Sequence, residues 1–496
     1  MSRATQPSGD NRQDVASQPG PITKVPPEIV IEVFKFAVLS SEEARSHGVK
    51  TLCLVGQDWN RIANGISDLW TKVTLSYPLH PGQLSVVKKW LKASEQKTLD
   101  LEIDLRDPAW DEFEDEALHP LGDSTKLQGM IAVLRDSEHR WRSISFKSDV
   151  WEPIHEFLRW EIPSLPLLES ISFERGSEDL GAVYNHLDPQ ESSESPTVFG
   201  GNGTHMPALR KVSLSVVNVN WASAAASFQN LRELGIRNQS YEVGPTFKQF
   251  AALLAASPRL ETLDVTGYCP NSPAGTEGVP LVYLPALRHF VFGWTDAEPA
   301  LTFLEMFQIP ESLETLSLID TVSGIGISVE GDSSPIFDLL ARLGQGGPRH
   351  EDHPRNKEHL KNEDHPRDRD HSRPWVSVLG LKSLSVSWVK SRHESVMAFL
   401  MGAPMVEEIH LTDVSQGVLL GIEVLAETQR LRSLKRLYIR WVRDSGDKSP
   451  EADLVTNLLR GHGFQVIVEN FIGEDECSTP MRSEAIFNDK DGERRP

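Results

Sequence analysis

The sequence is poor in cysteine and has no long apolar run. Its 496 residues include three cysteines, Cys53, Cys269 and Cys477, and none belongs to a Cys-x-x-Cys pair. So sparse a set argues against a disulfide framework or a structural zinc site and suits a reducing compartment. No segment approaches the roughly 20 apolar residues of a membrane helix, and the polar residues 2–21 predict no secretory signal. We therefore expect a protein of the cytoplasm or nucleus with no membrane partner.

Basic charge is also scarce. Lys and Arg together number 50 against 71 Asp and Glu, which gives a formal net charge of −21. Because nucleic-acid phosphates repel an acidic chain, no nucleic-acid partner is expected. Motifs of catalysis are missing as well: there is no Gly-x-x-x-x-Gly-Lys-Ser/Thr loop, no Gly-x-Gly-x-x-Gly turn, no His-Glu-x-x-His pair and no Gly-x-Ser-x-Gly elbow. We expect neither an enzyme nor a bound cofactor or metal.

What the sequence does contain is a repeated phrase, Leu-x-x-Leu-x-Leu with apolar substitutions. The twelve copies begin at Leu99, Trp141, Leu168, Leu209, Leu231, Leu260, Leu287, Leu313, Leu381, Val406, Leu434 and Phe464. The last two apolar positions of each phrase alternate with polar residues, which is the period of a β-strand. The phrases therefore predict a series of short strands.

The stretches between phrases have the period of a helix. Phe247, Phe250 and Leu254 fall on one helical face, and a later stretch repeats this spacing at Leu301, Leu304 and Phe307. Helix, turn and strand recur at spacings typical of leucine-rich repeats, roughly 20–29 residues. We predict an α/β fold, a leucine-rich-repeat solenoid over residues 81–472 with a parallel sheet and a helix layer. A compact doubly wound α/β domain is the alternative.

Two polar segments interrupt the repeats. Residues 344–374 are rich in His, Asp, Glu and Arg, and residues 191–203 are rich in Ser, Gly and Glu. Because so few apolar side chains cannot offset the entropy of ordering, both insertions are predicted to be disordered, as are the tails 1–21 and 473–496. The histidines of the longer insertion are interpreted as part of a solvated low-complexity segment rather than as a metal site.

Residues 22–75 do not follow the repeat. Val25-Pro26-Pro27-Glu28 predicts a helix start, since proline is tolerated in the first turn and an acidic side chain is favoured there. The apolar stripe of this helix is Ile29, Val30, Val33, Phe34 and Ala37. Residues 39–48 are predicted to be a polar loop. A second helical stretch carries Leu52, Leu54, Val55, Trp59, Ile62 and Ala63, and it precedes a strand at Val73 to Leu75.

Together, Val25-Pro26-Pro27-Glu28-Ile29, Val33-Phe34, Leu54-Val55-x-x-x-Trp59 and Leu69-Trp70 resemble an F-box. More narrowly, the chain is similar to the fungal F-box-like proteins in which the box precedes irregular leucine-rich repeats. The resemblance implies a substrate-recognition subunit of an SCF-type cullin-RING ubiquitin ligase, which binds the Skp-type adaptor through residues 22–75 and an unknown target protein through the repeats. The positions that contact the adaptor or hold the box together correspond to Pro26, Ile29, Val33, Phe34, Leu54, Val55 and Trp59.

Other functions stay open beside this one. The N-terminal unit can instead cap the first repeat, which leaves a non-catalytic scaffold for protein–protein interaction without ligase association. In either case strand alternation predicts which residues lie on the exposed sheet face. The last complete phrase places Arg436, Tyr438 and Arg440 there, with His410 on the preceding phrase. Because Arg and Tyr are favoured interface anchors, we expect the partner at these residues; a merely solvated sheet face is the alternative.

Overall fold

The structure is a computed structural model. It describes residues 25–40, 42–110, 124–176, 195–200, 204–239, 244–270, 280–309, 311–324, 331–345, 375–443 and 464–472. The chain divides into two compact units. The first comprises Met1–Val73 and Val86–Lys97, and the second comprises Thr74–Ser85 and Thr98–Pro496.

Helices and strands alternate through most of the described chain. The α-helices are α1 (Pro27–Leu39), α2 (Glu42–Val55), α3 (Gln57–Asn64), α4 (Pro81–Ala93), α5 (Ser124–Leu134), α6 (Trp151–Arg159), α7 (Trp221–Ser227), α8 (Phe247–Ala255), α9 (Ala297–Leu304), α10 (Thr321–Gly324), α11 (Ser334–Gln345), α12 (His393–Met401) and α13 (Gln416–Glu427). The strands are β1 (Lys72–Ser76), β2 (Leu99–Asp104), β3 (Trp141–Ser148), β4 (Ser170–Arg175), β5 (Lys211–Ser215), β6 (Glu233–Arg237), β7 (Thr262–Thr266), β8 (Val282–Tyr283), β9 (His289–Trp294), β10 (Phe307–Ile309), β11 (Thr315–Asp320), β12 (Trp375–Val376), β13 (Ser383–Ser387), β14 (Glu408–Thr412), β15 (Arg436–Arg443) and β16 (Gln465–Ile472).

The first unit is built from α1, α2, α3, a 3-10 turn at Ser67–Trp70 and the second half of α4. Its core consists of Val30, Phe34, Val38, Val49, Leu52, Ala63, Ile66, Leu69 and Trp70. The indole N–H of Trp70 donates to the backbone carbonyl of Ala63 at 2.9 Å. A buried indole needs such a partner, so this bond fixes the 3-10 turn against the end of α3.

One sequence prediction for this unit is wrong. Residues 39–48 were expected to form a polar loop, but α1 continues to Leu39 and α2 begins at Glu42. The reason is that a polar sequence can be a good helix former, because Glu, Ala and Arg have high helix propensity. Apolar periodicity was therefore the wrong criterion for the start of α2.

The second unit contains a parallel sheet of 13 strands, ordered β1-β2-β3-β4-β5-β6-β7-β9-β11-β13-β14-β15-β16. Of β1, residues 74–76 belong to this unit. All twelve phrases supply a strand, and β1 adds one at Val73 to Leu75. The strands of this sheet follow one another in chain order, and β8, β10 and β12 lie in the connections between them. Each connection therefore carries the chain back so that the next strand runs parallel to the one before it. The predicted parallel sheet with accompanying helices is confirmed.

Successive strands begin with the same hydrogen bonds. The carbonyl of Arg232, just before β6, accepts from two consecutive amides ahead of and in β7, those of Glu261 at 2.8 Å and Thr262 at 2.9 Å. The carbonyl of Arg288 accepts in the same way from the amide of Glu314, just before β11, and from that of Thr315, its first residue. These recurring hydrogen bonds set the register. The second apolar position of each phrase therefore lies opposite that of the neighbouring phrase, in one row across the sheet.

Strands also end alike. The residue directly after six of the described strands has a left-handed backbone: Gly176, Val216, Asn238, Gly267, Trp388 and Asp413. Its amide donates to a carbonyl of an adjacent strand, as Asn238 does to Thr266 at 2.7 Å. Left-handed residues are costly unless they are glycine or asparagine, so the turn is imposed on Val216 and Trp388 by the surrounding repeats.

The core of the second unit lies between the sheet and its helices. The second and third apolar positions of the phrases are buried almost throughout, as at Leu316 and Leu318, and the exception is β16, where Val468 is exposed. On the helix side, α8 starts with a reciprocal capping box between Thr246 and Gln249. No described helix is both long and apolar enough to cross a membrane.

The predicted helix through Leu301, Leu304 and Phe307 is partly wrong. Helix α9 ends at Leu304, and Phe307 opens β10 instead. Strand β10 lies between β12 and β8 in a second, three-stranded parallel sheet. Phe307 packs edge-on against Phe303 with ring centroids 5.0 Å apart. Residues 307–309 therefore pair with two flanking strands instead of adding one more turn to α9.

The predicted insertions need two corrections. Of residues 191–203, the segment 195–200 is ordered, because Val198 and Phe199 are buried and Phe199 meets the ring of Phe157 at 6.2 Å. Of residues 344–374, the first two belong to α11, which ends at Gln345. The remainder of both insertions and the predicted tails 1–21 and 473–496 lie outside the described residues.

Candidate functional site

Helix α1 presents two different apolar faces in the first unit. The chain enters it through Pro26, whose carbonyl accepts from the amides of Ile29 at 3.0 Å and Val30 at 3.2 Å. Pro27 needs no donor at the first helical position, so the two prolines favour the start. Val30, Phe34 and Val38 then recur every four residues and are buried. This face holds the unit together.

The other face of α1 is exposed although it is also apolar. Ile29, Val33 and Phe36 follow at spacings of four and three residues, which places them on one side of the helix. Their exposed fractions are 55%, 56% and 78%. Monomeric proteins rarely leave a row of large apolar side chains in water without a use for it. This row is therefore a candidate docking surface.

A second exposed apolar pair lies where α2 ends. Leu54 is 86% exposed and Val55 is 58% exposed, whereas Leu52, two residues earlier, belongs to the core. The turn that follows is held by the side-chain amide of Asn60, which donates to the carbonyl of Cys53 at 3.3 Å. Helices α1 and α2 are in contact. We call Ile29, Val33, Phe36, Leu54 and Val55 the α1–α2 apolar surface.

The structure separates the predicted box residues by role. Phe34 is buried, and its ring lies 4.9 Å from that of the half-buried Trp59. These two side chains stabilise the unit from inside. Pro26 is exposed at the cap of α1, and Ile29, Val33, Leu54 and Val55 lie on the α1–α2 apolar surface. The sequence prediction did not distinguish these two groups.

Phe36 was missed by the sequence prediction. It is the most exposed large apolar residue of α1. A signal was available, because Ile29, Val33 and Phe36 form a second stripe at helical spacing beside the core stripe. Since an amphipathic helix needs only one apolar stripe to fold, the second stripe indicated a surface with another purpose.

Charged side chains fix α1 to the rest of its unit. The Asp68 carboxylate lies 2.7 Å from the Lys97 Nζ and 3.3 Å from the Lys35 Nζ. Hydrogen bonding from Lys97, followed by that from Lys35, lowers the pKa of Asp68, and the hydrogen bond to Asp68 raises the pKa of Lys35. The ionised pair thus ties α1 to the 3-10 turn that carries Asp68.

The second candidate surface lies on the open sheet face of β14 and β15. His410 and Tyr438 are in register on these strands. Their rings are stacked, with centroids 4.3 Å apart and planes inclined by 7°. Each ring therefore restricts the other, and the pair forms a rigid aromatic block on the face. Arg440, one row further along β15, is exposed.

Charge at this surface is less basic than the sequence suggests. Arg436 donates to the carboxylate of Glu408, its register partner on β14. The same carboxylate group lies 3.7 Å from the Nε2 of His410. At the adjacent edge, Lys435 bonds Glu407 at 2.7 Å, and this hydrogen bond lowers the pKa of Glu407. Arg436, one of the two arginines predicted as anchors, is thus already paired within the chain.

A recess lies at the edge where the strands begin. Its charged lining includes Arg288, Glu314 and Lys382. The carboxylate of Glu314 lies 3.3 Å from Arg288 and 3.4 Å from Lys382, so these groups neutralise one another. Within the described part of the chain, no group of three or more His, Cys, Asp and Glu side chains is placed to hold a metal ion.

The chain was compared with known proteins. No protein-family model and no curated protein matches it. A solved structure described as the crystal structure of the Rad7 and Elc1 complex in yeast aligns with 89% of this chain and 96% of that chain, at 11% sequence identity and a TM-score of 0.30. A score this low carries no argument about function. The resemblance to F-box proteins therefore rests on the residues of the sequence itself.

Proposed function

We propose that this chain is the substrate-recognition subunit of an SCF-type cullin-RING ubiquitin ligase, with an F-box-like first unit and a leucine-rich-repeat solenoid as its second. The observation that carries the proposal is the α1–α2 apolar surface. Five large apolar side chains are more than half exposed there. Four of the five, Ile29, Val33, Leu54 and Val55, are residues through which the sequence resembles an F-box, so the partner we propose is a Skp-type adaptor that links the chain to the cullin.

The apolar surface is suited to bind a protein rather than a small molecule. Its side chains project from a helix and a helix end, and each is more than half exposed. Burying one such side chain stabilises a complex by roughly 1.5–3 kcal/mol, so a few of them suffice for a micromolar interface. The packing of Phe34 against Trp59 inside the unit holds α1 and its exposed side chains in place, which reduces the entropic cost of binding.

The second unit supports the proposed binding of a target protein. Thirteen parallel strands in chain order, with recurrent turns at both ends of the strands, favour a solenoid in which each repeat is buried by its neighbours. A long sheet face with many polar side chains is a suitable surface for a target protein. In this role the chain contributes binding and not catalysis, needs no cofactor, binds neither nucleic acid nor membrane, and works in the cytoplasm or nucleus.

The test is co-purification with a recombinant Skp-type adaptor. The variant Val33→Glu/Leu54→Glu places two charges on the α1–α2 apolar surface. Both side chains are exposed, so folding is preserved, but a complex would have to bury the charges without partners. We expect adaptor affinity to fall by about 100-fold or more. Circular dichroism of the variant should match that of the wild type.

The matched control is Met401→Glu, which makes the same change at a residue of the second unit that is 58% exposed. It should bind the adaptor as the wild type does. If the wild-type chain does not bind the adaptor, or if the double variant binds equally well, the ligase assignment fails. The chain would then be an interaction scaffold without ligase association.

A further inference from the structure

The last strand of the long sheet has an edge that no described strand covers. Strand β16 pairs with β15 along its whole length, from Gln465 to Ile472, and it ends the strand order. The amide of Gln465 donates to the carbonyl of Lys435, so it points toward β15. Because backbone groups alternate between the two edges of a strand, those of Val466 and Val468 point away from β15. They have no hydrogen-bond partner in the described part of the chain.

The core is also open at this end of the sheet. On β15 the second and third apolar positions of the phrase are fully covered, with Leu437 at 0% and Ile439 at 1% exposure. Their register partners on β16 are Val466, which is only half-buried, and Val468, which is 36% exposed. Because a solenoid buries each repeat against the next, its last repeat needs a cover. One further strand would supply both backbone partners and apolar side chains.

The surroundings of this edge are basic although the chain as a whole is acidic. Residues 430–443 contain no Asp or Glu, while the whole chain has a formal net charge of −21. The basic residues of this segment are Arg430, Arg432, Lys435, Arg436, Arg440 and Arg443. Lys435 and Arg436 are paired with glutamates of the neighbouring repeat. Arg430 and Arg432, exposed in the connection between α13 and β15, form no ion pair within the described residues.

Backbone and charge together select one kind of occupant. A nucleic acid can approach the arginines, but it has no peptide groups to pair with Val466 and Val468. A second copy of this chain would bring the same basic residues to the edge, and like charges repel each other. A strand added to β16 lies about 10 Å from β15, so acidic side chains on it can approach the basic residues there. An extended acidic segment of another protein therefore fits best.

We propose that β16 accepts an extended acidic segment of the target protein as the next strand of the sheet. The backbone of the segment pairs with the outward groups of Val466 and Val468. Its apolar side chains cover these two valines, and the acidic side chains that alternate with them lie on the open face, toward the basic residues. The inference rests on the proposed function, since it assumes that the repeats hold a target.

The test uses the full chain and the peptide acetyl-Glu-Val-Glu-Val-Glu-Val-Glu-amide as the probe, with binding followed by calorimetry. We expect a dissociation constant of about 100 µM or lower at about 50 mM salt. Two comparison peptides separate the contributions of charge and backbone. The peptide with lysine in place of glutamate should bind at least about tenfold more weakly. The peptide with proline in place of valine keeps the charge but cannot form a strand, and it should also bind at least about tenfold more weakly.

The variant Val468→Pro tests the backbone edge. It removes an outward amide and leaves the hydrogen bonds to β15, because proline is tolerated at the edge of a sheet. Binding of the acidic peptide should fall by about tenfold or more. The matched control is Tyr283→Pro on β8, the edge strand of the three-stranded sheet. The amides of Val282 and Leu284 point toward β10, so that of Tyr283 points outward, and this variant should leave binding unchanged.

The variant Arg432→Glu tests the charge. It should weaken binding of the acidic peptide by about threefold or more and strengthen that of the lysine peptide. The matched control is Arg259→Glu, which makes the same change at an exposed arginine of the turn before β7 and should leave binding unchanged. Thermal unfolding checks that all four variants fold, and the proline peptide tests the backbone requirement on the unaltered chain.

Several outcomes would overturn the proposal. They are the absence of binding at about 1 mM peptide, equal binding of the lysine or proline peptide, or unchanged binding in Val468→Pro or Arg432→Glu. A dimer of the full chain that Val468→Pro dissociates in sedimentation would also overturn it, because the edge would then belong to a second copy. None of these affects adaptor binding by the first unit. Conversely, if the chain fails to bind the adaptor but the acidic peptide binds as expected, the ligase assignment falls and the site on β16 remains.

Discussion

The rings of Phe34 and Trp59 lie 4.9 Å apart, and this contact joins α1 to α3 from inside the first unit. Phe36, two residues further along α1, is 78% exposed. Two phenylalanines of one helix therefore have different tasks. Phe34 maintains the unit, and Phe36 lies on the surface that we assign to the adaptor. Any mutational study of this unit must separate them, because loss of Phe34 impairs binding indirectly.

Phe34→Ala is expected to destabilise the first unit by about 3–5 kcal/mol, because it removes a fully buried ring and leaves a cavity. Phe36→Ala should change the stability by no more than about 0.5 kcal/mol. Hydrogen exchange measured by mass spectrometry over residues 27–64 reports this unit separately. Fast exchange in Phe36→Ala, or unchanged protection in Phe34→Ala, would contradict the assignment of the two faces.

The left-handed turns at the strand ends lead to a second prediction. Gly267 follows β7 with a φ of +65°, and a Cβ at this position would collide with Asn238 Oδ1 of the preceding turn. Gly267→Ala should therefore cost about 1–2 kcal/mol for the left-handed backbone, and more for the collision. Urea unfolding of the second unit measures the effect.

Gly331→Ala is the control for this substitution. Its Cβ would meet only Asp320 Oδ2, at 3.9 Å, and its backbone is not left-handed. It should leave the unfolding midpoint nearly unchanged or raise it slightly, since alanine reduces the entropy of the unfolded chain. An equal loss of stability in both variants would indicate that the strand-end turn has no special requirement for glycine.

Much of the second unit could be predicted from the sequence, because burial on one face of a strand imposes a strict alternation. Leu316 and Leu318 are apolar for this reason, and the register of all twelve phrases followed from such pairs. The strand-end turns could not be predicted. Val216 and Trp388 have poor local propensity for a left-handed backbone, and only the hydrogen bonds of neighbouring repeats enforce it.

The candidate sites were less predictable than the fold. Alternation placed His410 and Tyr438 on the open face, but it could not show that Glu408 pairs with Arg436 and changes the chemistry of that surface. Similarly, the apolar residues of α1 were all visible in the sequence. Which of them face the core depends on where α2 and α3 pack against α1. This packing could not be predicted because the start of α2 was missed.

His155 leads to a prediction about pH. It is buried in α6, and burial, followed by the positive charges of Arg159 and Arg175, lowers its pKa from 6.5 to about 4. In the unfolded chain the imidazole takes up a proton near pH 6.5, whereas in the folded chain it stays neutral down to about pH 4. The unfolded state therefore binds more protons between these values, and stability falls as the pH is lowered through this window.

The expected loss is about 3 kcal/mol at most between pH 7 and pH 4. His155→Gln keeps a polar side chain of similar size but does not titrate, so its stability should depend less on pH over this range. The measurement is urea unfolding of both proteins at several pH values. Parallel pH profiles for the wild type and the variant would show that His155 does not contribute.

The final prediction concerns the ion pair between Arg237 on β6 and Asp264 on β7. The guanidinium Nε lies 2.8 Å from Asp264 Oδ2, and the Thr266 hydroxyl donates to Asp264 Oδ1 at 2.7 Å. Asp264 is buried, so Asp264→Ala leaves the arginine facing a hydroxyl instead of a charge. We expect a loss of about 2–4 kcal/mol.

A double-mutant cycle distinguishes the value of the pair from the cost of breaking it. Removing the buried Asp264 and the partly buried Arg237 from water costs solvation that their attraction only partly returns. Arg237→Met/Asp264→Leu should therefore be closer to wild-type stability than Asp264→Ala. Urea unfolding of Arg237→Met, Asp264→Leu and the double variant gives the coupling. If the double variant is the least stable of the series, the ion pair makes a net stabilising contribution to the sheet. If the double variant recovers stability as expected, the ion pair contributes little to the free energy of unfolding. Its role is then to set which strands face each other.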